Sequence, residues 1–208
     1  MIAVQQRPEV TDWDAIDLYR FFAFVFDRPS RERFEWFSQP KISEGLQRLW
    51  DNLGPEKSFP QFQNFPDYDA YEASYISLFD VGMPAPPVPL SESGHNRSQP
   101  SQNMALENVN FYSVLGLKAD MTRNPPDHLV TQLEFLSAVR YARENSPTPE
   151  NRREMWRLET EFLDRHLLNW VPIAENKLSK ENPPLFSLLM TLLLAFLHHQ
   201  RADLSRSQ

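Results

Sequence analysis

The stretch LFSLLMTLLLAFL, from Leu185 to Leu197, is the most apolar run of the chain and decides its fold class. A run that is apolar on every face predicts a buried helix. It is shorter than the about 20 apolar residues that a bilayer-spanning helix needs. We therefore expect the central helix of a core and not a membrane anchor, opened by Pro183 and Pro184 and followed by a polar tail at about 202–208.

Helical spacing of apolar residues repeats along the rest of the chain, whereas no strand pattern of comparable strength is present. Only five Gly leave little material for hairpin turns. The sequence therefore predicts an all-α fold, a single compact domain over residues 1–208 with about nine helices. Capping residues and prolines predict where the helices begin. Besides the last helix at Pro183 and Pro184, the predicted first residues are Thr11 or Asp12, Ser30, Lys41, Pro66 with Asp67, Asn103, Pro125 with Pro126, Thr148 and Ala174.

Three of these helices carry predictions at the level of single residues. The first is predicted to end near Asp27. The helix from Asn103 should turn one face to the core and have Gly116 as a left-handed C-cap. The helix capped by Thr148 should end at Trp170-Val-Pro172. The expected core residues of the last two are Leu106, Val109, Tyr112 and Leu115, and Met155, Leu158, Phe162, His166 and Trp170.

Composition excludes several classes of protein. The absence of Cys removes disulfides, thiolate nucleophiles and zinc–thiolate sites, and it fits a reducing compartment. The first residues lack the basic start and apolar stretch of a secretory signal, so we expect a cytoplasmic protein. A net charge of −7 argues against nucleic acid as a partner and allows a basic one, although many soluble proteins are this acidic.

A long loop with no helical periodicity is predicted between Asp80 and Gln102. Loops beyond about 12–15 residues in a compact domain are usually functional or disordered. Its start, MPAPPVPLSES, is rich in Pro and can hold a fixed path. The part that follows, SGHNRSQPSQN, is polar, so we expect a mobile loop at about 80–102 that is least ordered from about Ser91 to Gln102.

The pair Asp127 and His128 is predicted to lie in the first turn of a helix. Asp127 is a good helix cap there. An exposed carboxylate and imidazole at this point would also suit a basic peptide, and the two interpretations are compatible. No Ser lies in a nucleophile elbow, the histidines lack metal-binding spacing, and there is no phosphate-binding loop. We therefore predict no catalytic residues, no metal site and no cofactor.

A second candidate set lies on the fourth helix and the loop. Each residue alone has a simpler explanation, aromatic groups as core and acids as solvated surface. Together they offer an apolar floor, a proline wall and acidic groups, which is the chemistry that a groove for a basic, apolar peptide needs. The residues are Glu72, Tyr75, Leu78, Phe79, Pro89 and Glu92.

Several segments in order resemble the TorD/DmsD/NarJ family of chaperones for molybdenum oxidoreductases. They are Tyr75-Ile-Ser-Leu-Phe79, Pro89-Leu-Ser-Glu-Ser93, the step from Tyr112 to Gly116, Pro126-Asp127-His128-Leu129 with Glu134-Phe-Leu136, and the run from Glu161 to Pro172. The resemblance spans roughly Trp13 to Leu197. PPVPLSES gives a slight preference for the chaperones of dimethylsulfide, ethylbenzene or chlorate-type enzymes.

The resemblance implies an all-helical accessory chaperone and not a catalyst. Such proteins bind the twin-arginine signal peptide, or an equivalent N-terminal segment, of a molybdopterin-containing catalytic subunit and delay export until cofactor insertion is complete. It implies that Leu78 and Phe79 are an apolar contact pair, that Glu92 is the acid of the loop motif, and that Pro126, Asp127 and His128 form the peptide-binding turn.

Two other functions stay open at this point. One is a small helical hydrolase or nucleotide-dependent enzyme that uses Asp127 and His128 as acid–base residues, which predicts a buried His128 with a shifted pKa. The other is a helical scaffold protein. The chaperone predicts an open groove and a peptide ligand, no membrane insertion, and a monomer or loose dimer.

Overall fold

The protein is described from a computed structural model that covers residues 14–53, 59, 65–120, 122–181 and 184–206. These residues form nine α-helices, two π-helical segments and one 3-10 turn, with no β-strand among them, which confirms the all-α prediction. The single-domain interpretation stays a prediction. The helices are α1 (Ala15–Val25), α2 (Arg31–Phe37), α3 (Pro40–Leu53), α4 (Tyr68–Tyr75), α5 (Ser101–Val114), α6 (Leu129–Glu144), α7 (Pro149–Phe162), α8 (Leu168–Glu181) and α9 (Pro184–Arg206).

Helix α9 lies in the core, as its apolar run predicts. By length and composition it would also suffice to cross a membrane, but its large side chains are packed against other helices. Phe196 makes an edge contact with Tyr19 of α1, with ring centroids 4.9 Å apart, and Phe186 makes one with Phe79 at 5.2 Å. Burial of these aromatic rings supplies much of the apolar area removed from water.

The predicted polar tail at 202–208 is wrong over its described part, because α9 continues to Arg206. Leu204 is buried, and its carbonyl accepts a hydrogen bond from Trp156 Nε1 of α7 at 3.1 Å. This tertiary contact holds the last turns of the helix, although their sequence is polar.

Local capping signals place most helix starts correctly. Ser30, Asp67 and Thr148 each cap a helix with a side-chain oxygen that accepts from the backbone N–H three residues on. Helix α1 differs, because Asp14 is its cap and not Thr11 or Asp12, which lie outside the described residues.

Helix α5 starts at Ser101, two residues before the prediction, and its predicted buried face is confirmed only at Tyr112, which is buried, and Leu115, which is partly buried. Leu106 is 59% exposed and Val109 36%, so both point to solvent. The buried residues of α5 are Met104, Asn108, Phe111 and Tyr112. Gly116 is confirmed as the left-handed cap with φ 67°, and Leu117 N donates back to the Tyr112 carbonyl at 3.0 Å.

The predicted helix end at Trp170-Val-Pro172 is wrong. Helix α7 passes through a π-helical segment, Leu163–Leu167, directly into α8, and Pro172 lies inside α8. Pro172 has no N–H to donate to the carbonyl four residues earlier, a defect that usually ends or bends a helix. Here the surrounding core compensates, because Phe162, His166 and Trp170 are buried as predicted, while Met155 and Leu158 are only partly buried.

We expect Leu193→Ala to lower the free energy of unfolding by about 2–5 kcal/mol, because it removes a fully buried side chain from α9. Leu194→Ala is the matched control. The Leu194 side chain is only partly buried, so its truncation should lower the free energy of unfolding by less. Denaturant unfolding measured by circular dichroism gives both values. Equal, small losses for the two variants would contradict a core position for α9.

Candidate functional site

The loop before α5 runs back across the fold and pairs with the start of α6. Ser91 and His128 form an antiparallel bridge, in which Leu129 N donates to the Leu90 carbonyl and Glu92 N to the Asp127 carbonyl, each at 2.9 Å. We call residues 88–95 the strap. The strap brings together the two segments that the sequence singled out.

The other end of the strap contacts the π-helical segment Ile76–Asp80 that follows α4. Val88 N donates to the Leu78 carbonyl at 3.0 Å, and the side chains of Val88 and Leu90 are buried. The strap then turns through Glu92–Gly94. A Cβ on Gly94 would lie 2.4 Å from Pro89 Cγ, so the turn is too tight for any other residue without movement.

Asp127 does not cap α6, contrary to the prediction, and it is not exposed. Its side chain Oδ2 accepts from Ser93 N of the strap at 3.0 Å, and the residue is 4% exposed. His128 takes the cap position, where its Nδ1 accepts from Val130 N at 3.3 Å. Helix α6 therefore begins at Leu129 and not at Pro125 or Pro126. An exposed Asp–His pair is not present in this conformation.

Glu92 is a buried acid at the centre of a polar network. It is 1% exposed, so its interpretation as a solvated or peptide-facing acid is wrong for this conformation. Its Oε2 accepts from Gln132 Nε2 at 2.8 Å, from Asn108 Nδ2 at 3.4 Å and faces His166 Nδ1 at 2.8 Å. These donors come from α6, α5 and the second π-helical segment, so one carboxylate joins the strap to three elements.

A second layer of hydrogen bonds surrounds the same network. Trp170 Nε1 donates to Gln132 Oε1 at 3.0 Å, and Gln132 Nε2 also donates to Asn108 Oδ1 at 3.0 Å. The Tyr112 hydroxyl contacts Asn108 Oδ1 at 3.3 Å and donates to the Pro126 carbonyl at 2.5 Å. Burial gives such a network a low dielectric, which strengthens each bond and makes an unpaired member costly.

Asn108 and Gln132 are not among the predicted site residues, and His166 was predicted as a core residue without a partner. A signal was present, because Gln132 lies between Leu129, Leu133 and Leu136 on a helix predicted to face the core. A polar residue at a buried helical position needs a hydrogen-bond partner. The spacing of apolar residues does not identify that partner, which is Glu92 of the strap.

His95, at the end of the strap, contacts α8. Its ring stacks on Trp170 with centroids 5.3 Å apart and an interplanar angle of 16°. Nε2 lies 2.7 Å from the Pro89 carbonyl and Nδ1 lies 3.2 Å from Lys177 Nζ, an arrangement that suits a neutral ring donating from Nε2. Burial lowers the pKa of His95 to about 4, against the effect of the Pro89 carbonyl.

The residues predicted to form an apolar floor lie beneath the strap and are buried. Tyr75, Leu78 and Phe79 are all buried, and the Tyr75 hydroxyl donates to the Phe26 carbonyl at 3.0 Å. Within the described part of the chain, these three side chains therefore do not line the open groove expected from the sequence. Of the predicted site residues, Glu72, Pro89 and His128 are partly exposed, and Pro126 is buried.

Exposed apolar side chains lie instead at the start of the loop. Val81 is 63% exposed and Met83 99%, next to the exposed Asp80. The chain from residue 58 to residue 96 has five acidic residues and no Lys or Arg. Glu72 of α4 is partly exposed and accepts from the Tyr68 hydroxyl at 2.7 Å. We call Asp80, Val81 and Met83 the loop tip, a surface that combines negative charge with apolar side chains.

His128 shows part of what the enzyme alternative predicts, since its pKa is shifted although the residue is only half-buried. Burial lowers that pKa to about 4, opposed by the charges of Asp27 and Asp127. The ring is already engaged as a helix cap through Nδ1. Among the described residues no cluster of three or more His, Asp or Glu could hold a metal ion. The shift of the His128 pKa therefore has a structural cause in a half-buried helix cap.

We expect stability to fall between about pH 6.5 and pH 4. The Nδ1 of His128 must be unprotonated to accept from Val130 N, and its folded pKa of about 4 lies below the ordinary 6.5. The unfolded chain binds the proton first, so this contribution is complete above pH 6.5 and is lost as pH falls. One such group gives a slope of at most about 1.4 kcal/mol per pH unit.

The variant His128→Asn separates the cap from the titration, because Asn caps helices well and does not ionise. Urea unfolding of both proteins at several pH values should show a shallower decline for the variant. If the two slopes are the same, folding does not lower the pKa of His128 and the proposed role of its neutral ring as a cap is wrong.

Comparison with known proteins gives one family and several relatives. Residues 39–175 match the nitrate reductase delta subunit family. The perchlorate reductase assembly chaperone of Dechloromonas aromatica is 28% identical over 168 residues, which is 76% of this chain and 74% of the relative. The selenate reductase assembly chaperone of Thauera selenatis is 33% identical over 121 residues, covering 53% of this chain and 58% of the relative.

Two further proteins are similar to this chain. The chlorate reductase assembly chaperone of Ideonella dechloratans is 32% identical over 120 residues, covering 53% of this chain and 58% of its own length. A solved structure of a redox enzyme maturation protein from Archaeoglobus fulgidus aligns with 83% of this chain and 96% of its own, at a TM-score of 0.43 and 20% identity.

Proposed function

The chain belongs to the nitrate reductase delta subunit family, and on this premise we propose that it holds the N-terminal segment of one oxidoreductase catalytic subunit during assembly. The three curated relatives are assembly chaperones of reductases. The predicted membership of a redox-enzyme maturation family and the predicted absence of catalysis are thereby confirmed. The client, its molybdopterin cofactor and its signal peptide belong to the proposal.

The observation that carries the proposal is the loop tip on an acidic stretch. Met83 and Val81 present apolar surface to solvent, and no Lys or Arg lies between residues 58 and 96. Charged surfaces of one sign attract an opposite charge over a long range, and exposed apolar groups then add short-range affinity. A segment with basic residues followed by an apolar run has the complementary chemistry.

The client that fits this chemistry is a twin-arginine type signal segment or an equivalent basic N-terminus. Planar guanidinium groups bind carboxylates with two parallel hydrogen bonds. Asp80 of the loop tip supplies one accessible carboxylate, and Glu72 is the next accessible one in sequence. Holding this segment would delay export until the cofactor is inserted. We propose that this takes place in the cytoplasm.

The buried members of the predicted site have a different part in this proposal. Leu78, Phe79 and Asp127 lie under or against the strap, so a peptide reaches them only when the strap moves. Lifting the strap would free the Leu78 carbonyl, the Asp127 carbonyl and Leu129 N, which now bond to strap backbone. An extended peptide forms hydrogen bonds of this kind when it adds to an exposed edge. The strap thus has the position of an intramolecular peptide.

Calorimetric titration with the signal peptide of a candidate reductase tests the surface. We expect the double variant Asp80→Lys, Met83→Lys to bind at least about tenfold more weakly than the wild type, because it replaces a carboxylate and an apolar contact with positive charge. Tyr141→Lys is the control, since Tyr141 is 55% exposed on α6, outside the acidic stretch. Binding that all three proteins share equally would remove the loop tip from the site.

A disulfide across the bridge tests whether the strap moves. Ser91 and His128 form a non-hydrogen-bonded antiparallel pair, whose Cα atoms are typically about 4.5 Å apart and within reach of a disulfide. The chain has no Cys, so Ser91→Cys with His128→Cys creates the sole pair. We expect peptide binding to be lost in the oxidised protein and restored by reductant.

The oxidised and reduced forms share every residue, so their comparison isolates movement of the strap. The single variant His128→Cys measures any separate effect of losing the imidazole. Equal affinity of the two redox forms would mean that the peptide binds outside the closed strap. No binding by the wild type to any such peptide or its parent subunit would reject the proposed function itself.

A further inference from the structure

Two carboxylates from distant parts of the chain hold one arginine side chain. Arg123, in the connection between α5 and α6, donates from one terminal nitrogen to Asp27 Oδ2 at 2.6 Å and from the other to Glu134 Oε1 at 2.9 Å. Asp27 lies just after α1, and Glu134 lies on α6. We call Asp27 and Glu134 the acid pair. The acid pair accommodates a guanidinium group, because one from this chain already occupies it.

The two members of the acid pair differ in exposure. The Asp27 side chain is 10% exposed, whereas those of Glu134 and Arg123 are 48% and 49% exposed. Burial alone would raise the pKa of Asp27, but the hydrogen bond from Arg123 and the charge of Arg33 lower it below its ordinary value. Asp27 is therefore an ionised and largely desolvated group that needs cations beside it. Solvent reaches the pair from the side of Glu134.

The two arginines bound to Asp27 are held in different ways. Arg33 also donates to the carbonyl of Phe24, at 2.7 Å, and to that of Arg28, so backbone atoms fix its position. Among the described residues, the Arg123 side chain donates hydrogen bonds to the acid pair alone. Ion pairs between exposed groups contribute little to stability, because water screens them. Another guanidinium can therefore replace that of Arg123 while Arg33 stays in place.

The acid pair lies near the proposed peptide surface. The Tyr75 hydroxyl donates to the carbonyl of Phe26, the neighbour of Asp27, at 3.0 Å. Burial raises the pKa of Tyr75, and the charges of Asp80 of the loop tip and of Asp27 raise it further. Burial lowers the pKa of His128 at the start of α6, and the charge of Asp27 opposes that effect. Asp27 thus lies between the loop tip and the turn that contacts the strap.

On the premise of the proposed function, we propose that the acid pair binds an arginine side chain of the client's basic N-terminal segment, and that Arg123 occupies this site in the free chain. A guanidinium is the group that fits, since its planar fork of N–H donors reaches two acceptors at once. The client arginine gains its hydrogen bonds only when Arg123 leaves. The fraction of chains in which Arg123 has left therefore sets the apparent affinity for the client.

Calorimetric titration of Arg123→Ala with the signal peptide of a candidate reductase tests this competition. Without the competing guanidinium, the peptide should bind at least about threefold more tightly than it binds to the wild type. Arg165→Ala is the matched control, because Arg165 is 51% exposed and also pairs with two carboxylates, Glu107 and Glu161. It removes the same charge, so it measures the general electrostatic effect on a basic peptide. We expect a smaller gain in affinity for the control.

A second peptide tests whether arginine is the bound group. Lysine keeps the positive charge but presents it as a compact ammonium without the planar fork. A peptide with lysines in place of its arginines should therefore bind Arg123→Ala and Arg165→Ala with the same change relative to the wild type. This comparison uses the same folded proteins, so any loss of stability in a variant affects both peptides equally.

Methylguanidinium probes the acid pair without a peptide. In Arg123→Ala the carboxylate of Asp27 keeps Arg33 and loses its other cation. We expect methylguanidinium, below denaturing concentrations, to raise the thermal unfolding temperature of this variant, because it binds the folded chain. Methylammonium at the same concentration should raise it less. The wild type, in which Arg123 occupies the site, and Arg165→Ala should show no such rise.

The outcomes separate failure of this site from failure of the proposed function. If the wild type binds the peptide and Arg123→Ala binds it no more tightly than Arg165→Ala does, the acid pair is not a client site. A lysine peptide that keeps the whole gain, or methylguanidinium that fails to stabilise Arg123→Ala, would also overturn the proposal. If no form of the protein binds the peptide although methylguanidinium stabilises Arg123→Ala, the proposed function is wrong, and the client arginine is removed from a site that still binds guanidinium.

Discussion

A buried carboxylate needs donors that replace its water, and Glu92 finds them on three different elements. Gln132, Asn108 and His166 converge on one oxygen of this side chain. Loss of a single partner from a buried charged network costs far more than a surface hydrogen bond, because the remaining groups stay desolvated. The position of the strap, the start of α6 and the packing of α5 are therefore fixed together, and the polar interior acts as one unit.

The predicted site residues fall into two physical classes. Glu92, Asp127 and Tyr75 have their hydrogen-bonding groups occupied inside the fold, whereas Glu72 and His128 remain partly open to solvent. Several residues of a sequence motif can thus fix the shape of a region from inside the fold, while others face the solvent. For a chaperone this division is useful, because the interior holds the surface in place without taking part in contact itself.

Local chemistry was enough to predict the parts of the fold that depend on a few neighbouring residues. Ser30, Asp67 and Thr148 cap helices because the hydroxyl or carboxylate reaches a backbone N–H in the next turn, and Gly116 ends α5 because only Gly adopts a positive φ without cost. The apolar run of α9 likewise predicts that this helix is buried, without reference to any other part of the chain.

Tertiary contacts decided the parts that the sequence did not predict. Asp127 and His128 are both able to cap a helix, and the choice between them follows from the N–H of Ser93, which is 34 residues away. Apolar residues lie on both faces of α5, so spacing alone cannot say which face is buried. Pro172 suggests a helix end, yet the neighbouring buried rings keep the helix intact. The strap brings the two predicted site segments together, and their closed state was not predictable because it depends on hydrogen bonds between residues far apart in the sequence.

The division between a tied interior and an exposed loop tip has a consequence for how such a protein can change over time. Substitutions at exposed positions such as Val81 and Met83 usually alter stability by no more than about 0.5 kcal/mol, whereas those in a buried network are often disabling. At the proposed binding surface, single substitutions can therefore change which client is bound while the fold stays stable. A lineage of such chains can acquire new clients without passing through unfolded intermediates.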